Sequence, residues 1–375
     1  MDAVSDTADL LEAFGAGDAR EREESWRYSK TALRALSQQR FVAAEGAAAL
    51  PASLRERFAW PQTQGRRLVF VNGVFSPDAS DLRDIRAGLE IRHDRASTSI
   101  KIASGCCDPL HLVHVSMPGA SASRWQRAVD IEVLGGRVEW IEQLIGAAGS
   151  DVLGALTSTV RIHAGADVRS VLLNDLPDSV SLYRRVNATV GTQARYCGTQ
   201  AILGGRLQRL DLNVVLAGER AGYRSRGVFA LRGRQHADVH LDVRHQARDT
   251  ASDALWRGVA DQRARGIFHG AITVAPGADG SDAKLSNKNL LLSAQAEIDT
   301  QPVLEIHADE VKAAHGAAVG QIDERALFYL RSRGIALVQA RRMLVAAFCA
   351  AALDQSVIRP DVRERISSLL ALCLT

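Results

Sequence analysis

Residues 266–282 read GIFHGAITVAPGADGSD. The first nine residues are rich in β-branched and aromatic side chains, as strands are, and the last eight bring together proline, glycine and aspartate, as turns do. The same alternation of short strand-like segments and turn residues runs from about Ile100 to Val319. Such even spacing predicts a mainly β core, and by itself it fits a sandwich, a barrel or a β-solenoid.

A hairpin precedes this core, and helical patterns flank it. Leu68–Phe75 contains Asn72-Gly73, a pair that adopts the positive φ angles of a type I′ turn. Apolar residues with helical spacing occur near the N-terminus: Leu10, Leu11 and Phe14, then Trp26, Leu33 and Leu36 within Glu21–Leu36. The changes of period predict an N-terminal helical region over 1–60, the hairpin and β core over 61–320, and a C-terminal helical domain over 321–375.

Three amphipathic helices are predicted in this last region. Asp323 is placed to cap the first helix, Gly334 to end it, and Pro360 stands in the first turn of the third. The second and third helices carry apolar stripes with helical spacing: Ala340, Leu344, Ala347, Phe348 and Ala351, then Val362, Ile366, Leu369, Leu370 and Cys373. Such stripes must pack on the β core or on a partner.

Composition and charge narrow the function classes. The formal net charge is +3, from 46 basic and 43 acidic residues, so there is no electrostatic case for nucleic-acid binding. The first residues are acidic and lack the basic and apolar regions of a signal peptide, and the most apolar stretch, Met343–Leu353, is too short to span a bilayer. Five irregularly spaced cysteines suit reduced thiols. We therefore expect a cytoplasmic protein without membrane segments.

Individual motifs favour structural interpretations. The glycine-rich stretch Pro276–Asp282 lacks the Gly-Lys-Ser/Thr that holds phosphates and is interpreted as a turn. His111 and His114 are expected on opposite faces of a strand, with one of them in the core. Cys106, Cys107 and Cys197 are interpreted as structural.

A second polar pattern alternates along one strand. His236, Asp238, His240, Asp242 and Arg244 share one face, and we interpret that face as solvated, because His236 and His240 are about 13 Å apart on a strand, too far to share one metal ion.

His315 is the candidate site residue. A strand with acidic flanks at 304–312 runs into a predicted turn at His315-Gly316. A histidine at a turn is usually structural, but neutral imidazole is also a suitable ligand for iron.

Residues 266–334 resemble the SufB/SufD family of iron–sulfur cluster assembly subunits. The resemblance rests on an ordered set of motifs: Gly266–Gly270, Gly277–Ala283, Asn289–Ser293, Pro302–Ile306, His315–Ala317 and Leu327–Ile335. Weaker similarities lie at Glu24–Tyr28, Pro109–Leu112 and around His245. The His-Gly-Ala form is similar to the SufD branch, whereas SufB subunits carry a Cys-Glu-His-Glu-Ala type of turn.

This resemblance implies a right-handed parallel β-helix with helical ends. It also implies a non-enzymatic scaffold that pairs with SufB through the β-helix and binds the SufC ATPase through its C-terminal helices. The expected SufC contacts are Phe328, Tyr329, Leu330, Leu344 and Phe348. No cofactor is expected in the isolated chain; a transient iron–sulfur cluster would form in the complex, with ATP bound only by SufC. Whether the isolated chain forms a homodimer stays open.

At the interface with SufB, the resemblance makes His315 the candidate iron or cluster ligand. Family members commonly have a cysteine two positions earlier, where this chain has Ala313. No thiolate of this chain can therefore act there, and only the imidazole is left.

Two other functions remain as alternatives. A β-helix carbohydrate-active enzyme would need clustered carboxylates in a groove, which the motifs do not offer. A SufB-like subunit that holds the nascent cluster would need several thiolates, and paired cysteines are scarce.

Overall fold

The structure, a computed structural model, describes residues 26–46, 49–60, 63–84, 88–103, 109–353 and 359–373. The predicted face of Leu10, Leu11 and Phe14 lies outside these ranges, as do Cys106 and Cys107. Within them the α-helices are α1 Lys30–Ser37, α2 Ala52–Arg57, α3 Glu324–Ser332, α4 Leu337–Ala350 and α5 Pro360–Cys373, and short 3₁₀ helices occur at Arg27–Ser29 and Pro77–Ala79.

Strands make up most of the remainder. Their bounds are β1 Val42–Ala43, β2 Arg67–Val71, β3 Val74–Phe75, β4 Leu89–His93, β5 Ser97–Ile102, β6 Leu110–Ser116, β7 Ser123–Val133, β8 Arg137–Gly146, β9 Val152–Ile162, β10 Asp167–Asp175, β11 Val180–Val190, β12 Arg195–Ile202, β13 Leu207–Leu216, β14 Gly222–Leu231, β15 His236–His245, β16 Ala251–Ala260, β17 Arg265–Val274, β18 Asp282–Leu291, β19 Glu297–Ile306 and β20 Lys312–Gly320.

Consecutive strands alternate between two parallel sheets. Odd-numbered strands from β5 to β19 form sheet A, and even-numbered strands from β6 to β20 form sheet B. Each strand therefore pairs with the strand two places along the chain, as where Val243 lies between Val214 and Ile272. This is a parallel β-solenoid of about eight turns, which confirms the predicted β-helix.

The alternation of side chains decides what enters the solenoid. On β15, Ala237, Val239, Leu241 and Val243 are buried in the main apolar core, because successive strand residues point to opposite faces. The turn predicted at Pro276–Asp282 connects β17 to β18, with positive φ angles at both of its glycines. That position suits glycine, which has no Cβ to clash there.

The N-terminal end of the solenoid is closed by antiparallel pairs. The predicted hairpin is confirmed: β2 pairs with β3 around Asn72 and Gly73, whose φ angles are 50° and 77°. A second antiparallel pair joins β4 and β5. The buried guanidinium of Arg127 donates to carbonyl oxygens of Gly73 and Asp94, one from each pair of strands. These contacts cap this end of the solenoid.

The interpretation of the 236–244 face as solvated was wrong for its first half. His236 and Asp238 are buried, because the N-terminal segment with Trp26 and Ser29 packs over them. Burial opposes ionisation of Asp238, but the guanidinium of Arg209, 2.9 Å away, outweighs it and holds the pKa of that carboxyl well below its usual range. Only the second half of the face, from His240 onward, retains exposure.

Both histidines of β6 are buried, so the expectation of a single core histidine was too narrow. They do lie on opposite faces. His114 points into the solenoid, where its Nε2 is 3.2 Å from Glu142. His111 lies on the outer face, hydrogen-bonded to Thr63 and Gln143. The segment before the hairpin covers this outer face. The sequence of the strand alone cannot show that another segment packs on it.

Helix α3 begins and ends as predicted, and Pro360 stands at the start of α5 as predicted. The Asp323 side chain accepts from the Arg325 N–H at the start of α3, and Gly334 has a φ of 84° after its end. On α5 four residues of the predicted stripe are buried, Val362, Ile366, Leu369 and Leu370, whereas Cys373 is half-buried. On α4 the buried residues are Ala340, Val345 and Cys349, so the face that packs is rotated from the predicted one. Both helices lie on the outer face of sheet B.

Candidate functional site: the open end of the solenoid

The C-terminal end of the solenoid has no cap among the described residues. β19 and β20 are the last strands of sheets A and B, and each pairs with a neighbour on one side only. Every residue of β20 is at least partly exposed. Unpaired edge strands present rows of free N–H and C=O groups, a template for pairing with another chain. This end differs in that respect from the capped N-terminal end.

Apolar side chains line this open end. Ala317 and Val319 lie opposite Asn287 and Asn289 of β18, so they have the inward-facing register, yet no turn formed by the described residues covers them. Val319 is 41% exposed and Ile306, on β19, is 42% exposed. In the turns before them, the same register is filled by buried residues. At the open end, positions that are buried in the earlier turns of the solenoid are therefore exposed to solvent.

His315 lies in this open end, but the turn predicted around it was wrong. It is a central residue of β20, in register with Leu285 of β18. Its side chain is exposed, since none of the described strands pairs with β20 on the side away from β18. The sequence signal of a turn was Gly316; this glycine continues the strand instead, with open space around it. Strand geometry fixes the imidazole at the rim of the solenoid.

The described cysteines lie elsewhere. Cys197, Cys349 and Cys373 are free thiols on the outer side of sheet B or in the helices that cover it. Burial raises the pKa of Cys349 to about 12 and that of Cys373 to about 11. Across the described ranges, no group of three or more His, Cys, Asp or Glu side chains is arranged to hold a metal ion. Within these ranges His315 therefore belongs to no such group.

A second exposed surface lies on α3 and α4. Phe328 is 75% exposed and Tyr329 57% exposed, and on α4 Leu337, Val338 and Met343 are also exposed. We call these five residues the α3–α4 patch. Exposed apolar side chains concentrated on two neighbouring helices are candidates for an interaction site. Arg333 lies against the Tyr329 ring, 5.2 Å from its centroid.

The five residues predicted to contact a partner differ in their exposure. Phe328 and Tyr329 belong to the α3–α4 patch, whereas Leu330 and Leu344 are half-buried. Phe348 packs against sheet B, with the Arg257 guanidinium 5.6 Å from its ring centroid. Leu337, Val338 and Met343 were missed, because the apolar stripe was assigned to Leu344 and Phe348. The adjacent pair Leu337-Val338 gives no such signal by itself, since neighbours on a helix are about 100° apart and both can be buried, as Leu369 and Leu370 of α5 are.

None of the described helices has the length and hydropathy needed to span a membrane.

Comparison with known protein families gives a match over more than half of the chain. Residues 126–348 match the family model described as "SUF system FeS cluster assembly, SufBD core domain", which covers the solenoid from β7 onward and reaches α4. The match is wider than the motifs at 266–334.

Two relatives match most of the chain, and a third matches a shorter part of it. The iron–sulfur cluster assembly protein SufD of Escherichia coli is 27% identical, over 96% of this chain and 91% of its own length. A SufBD family protein of Synechocystis is 26% identical, over 89% of this chain and 83% of its own length. SufD of Bacillus subtilis is 32% identical over 36% of this chain. The resemblance seen in the sequence is confirmed: this chain belongs to the SufBD family of the SUF system for iron–sulfur cluster assembly.

Proposed function

We propose that this chain is a non-enzymatic, cytoplasmic scaffold subunit of the SUF system, which pairs with a SufB-type subunit through the open end of its solenoid. The observation that carries the proposal is the contrast between the two ends. The N-terminal end is capped by antiparallel pairs tied through Arg127, whereas β20 is unpaired along one edge. A partner with a similar open end would cover the exposed apolar residues and satisfy the edge strands.

In this proposal His315 contributes an imidazole to a cluster that forms transiently at the joint. The cluster is cargo, and ATP is bound only by a SufC-type ATPase docked on the α3–α4 patch. With Ala313 in place of a cysteine, the thiolates must come from the partner. An imidazole held at the rim of a strand needs little reorganisation to bind iron there.

The test is co-expression with SufB-type and SufC-type chains, comparing wild type with His315→Ala. The matched control is His163→Ala, an exposed histidine far from the open end that pairs with Glu132. Because His315 is exposed, its replacement should change the free energy of unfolding by less than about 0.5 kcal/mol. We expect the variant to bind the SufB-type chain but to fail in activating an iron–sulfur enzyme in cells.

Two results would contradict this function. Absence of co-purification of the wild-type chain with a SufB-type chain would refute the pairing. Full activation by His315→Ala would remove the ligand role while leaving the pairing intact.

A further inference from the structure

Two asparagines lie inside the last covered turn of the solenoid, directly beneath the open end. Asn287 and Asn289 of β18 point inward and are 0% and 2% exposed. In the preceding turn the same register holds Trp256 and Gly258, and in the following turn it holds Ala317 and Val319. Buried amides in a largely apolar interior are costly unless they are hydrogen-bonded.

The hydrogen bonds of this pair reach both final strands. Asn289 Nδ2 donates to Asn287 Oδ1 at 2.6 Å and to the backbone carbonyl of Ala318 on β20 at 3.3 Å. Thr300 of β19 donates through Oγ1 to Asn287 Oδ1 at 2.8 Å. The pair thereby connects β18 to the last strand of each sheet. Apolar side chains at these positions would pack but could not make these connections.

The turn below leaves space for this arrangement. Gly258 lies opposite Asn289, and a Cβ at Gly258 would overlap Asn289 Oδ1 and the ring of Phe229. The backbone at Gly258 is not in the left-handed region, so close approach is the reason for glycine here. The amide of Asn289 is therefore enclosed from below and points its donor toward β20.

We infer that Asn287 and Asn289 are positioning residues that hold the edge strand β20, and with it His315, in place before a partner binds. Among the described residues β20 has one strand neighbour and no cover, so its register depends on backbone bonds to β18 and on the side-chain bond from Asn289. A satisfied polar group in a core selects one arrangement where apolar packing allows several. An ordered edge also avoids the entropic cost of ordering at the moment of association.

That the ordering of β20 assists pairing with a partner rests on the proposed function, whereas the ordering of β20 by the two asparagines does not. The first measurement is therefore amide hydrogen exchange on the full chain alone. We expect Asn289→Leu to speed exchange of residues 312–320 by about threefold to tenfold, the effect of losing one hydrogen bond, with β13 and β15 unchanged. Because this variant leaves Asn287 partly unpaired, the double variant Asn287→Leu/Asn289→Leu serves as the second test, since replacing both partners restores an apolar interior.

The control is Asn213→Leu. Asn213 donates to Asn187 across neighbouring strands on the exposed face of sheet A. The substitution therefore removes a similar hydrogen bond between two amides, but far from the open end. It should leave exchange in 312–320 at the wild-type rate.

The second measurement is the affinity for a SufB-type chain. Weaker binding by both Asn289 variants, by about threefold to tenfold, with wild-type binding by the control, supports the inference. Wild-type exchange in 312–320 in folded variants would overturn it, and faster exchange with unchanged affinity would overturn the role in pairing. Failure of the wild-type chain to bind would refute the proposed function instead, and that result is visible before any variant is compared.

Discussion

The hydroxyl of Ser29 donates a 2.5 Å hydrogen bond to Oδ2 of Asp238, although 209 residues separate them in the chain. Arg209 binds the same carboxylate oxygen at 2.9 Å, and its guanidinium lies 4.7 Å from the centroid of the Trp26 ring. The N-terminal segment is thereby fixed on the outer face of sheet A by a buried ionic network. A polar face of the solenoid becomes an internal surface through this contact.

Ser29→Ala should lower the free energy of unfolding by about 1–2 kcal/mol, because a hydrogen bond to a buried charged group is lost. The control is Ser37→Ala, at an exposed hydroxyl of α1 that bonds to the Arg34 carbonyl. Urea unfolding of both variants measures the difference. Equal stability of the two would show that Ser29 does not hold the segment in place.

Glu142→Gln should be among the most destabilising substitutions in the solenoid. Burial opposes ionisation of Glu142, but Arg184 and His114 outweigh it and lower the pKa of this carboxyl to about 2. The amide would leave the buried Arg184 guanidinium, now 2.7 Å from Glu142, without its counter-charge, at a cost of about 3–5 kcal/mol.

Glu132→Gln is the control for that substitution, since Glu132 pairs with His163 on the exposed surface. An exposed pair contributes about 0–1 kcal/mol. Thermal or urea unfolding compares the two. A loss below about 1 kcal/mol for Glu142→Gln would mean that the interior pair is dispensable.

Acid should destabilise the fold through buried neutral histidines. Burial lowers the pKa of His245 to about 4, and its ring nitrogens bond to Thr250 and Ser252, each at 2.8 Å. In the unfolded chain His245 is protonated near pH 6.5, whereas in the folded chain it stays neutral down to about pH 4. The free energy of unfolding therefore falls as the pH drops across this interval. His236, whose pKa burial also lowers to about 4, acts in the same direction.

His245→Gln should therefore flatten the decline in unfolding free energy between pH 7 and pH 4, by on the order of 3 kcal/mol. Urea unfolding at several pH values measures the slope, with His163→Gln as an exposed control. A slope identical to wild type would show that His245 is protonated in the folded state over this range.

Phe328→Asp should abolish binding of a SufC-type ATPase without unfolding the chain, because the side chain is exposed and belongs to the α3–α4 patch. A charge in the centre of an apolar interface typically costs at least about 2 kcal/mol of binding, or roughly thirtyfold in affinity. Leu372→Asp, on an exposed side chain of α5, is the control. Unchanged binding by Phe328→Asp, measured by co-purification, would move the docking site elsewhere.

A point substitution is preferable to removing the helices. α4 and α5 bury an apolar set on the outer face of sheet B that includes Val171, Val228 and Val259. A truncation after α3 would expose this face to water, so lost binding could not be separated from aggregation.

Local features of the fold were determined by the sequence itself. Asn72-Gly73 made the hairpin because this pair accepts positive φ angles, Asp323 and Gly334 set the ends of α3, and the spacing from Val362 to Leu370 set the buried side of α5. The motifs at 266–334 were sufficient to identify the family. Each signal lies within one element, where neighbouring residues alone fix the conformation.

The tertiary structure decided which faces are covered and where the solenoid stops. A period of two shows that a strand has two faces, but the cover over His236 and Asp238 comes from Ser29, about 200 residues away. Likewise His315-Gly316 reads locally as a turn, and it became a strand because β18 supplies its hydrogen-bonding partner. His315 is exposed because no further turn of the solenoid stacks on β20 in the part of the chain that the structure describes. Contacts between successive turns are long-range, and no local pattern in one strand records whether the next turn exists.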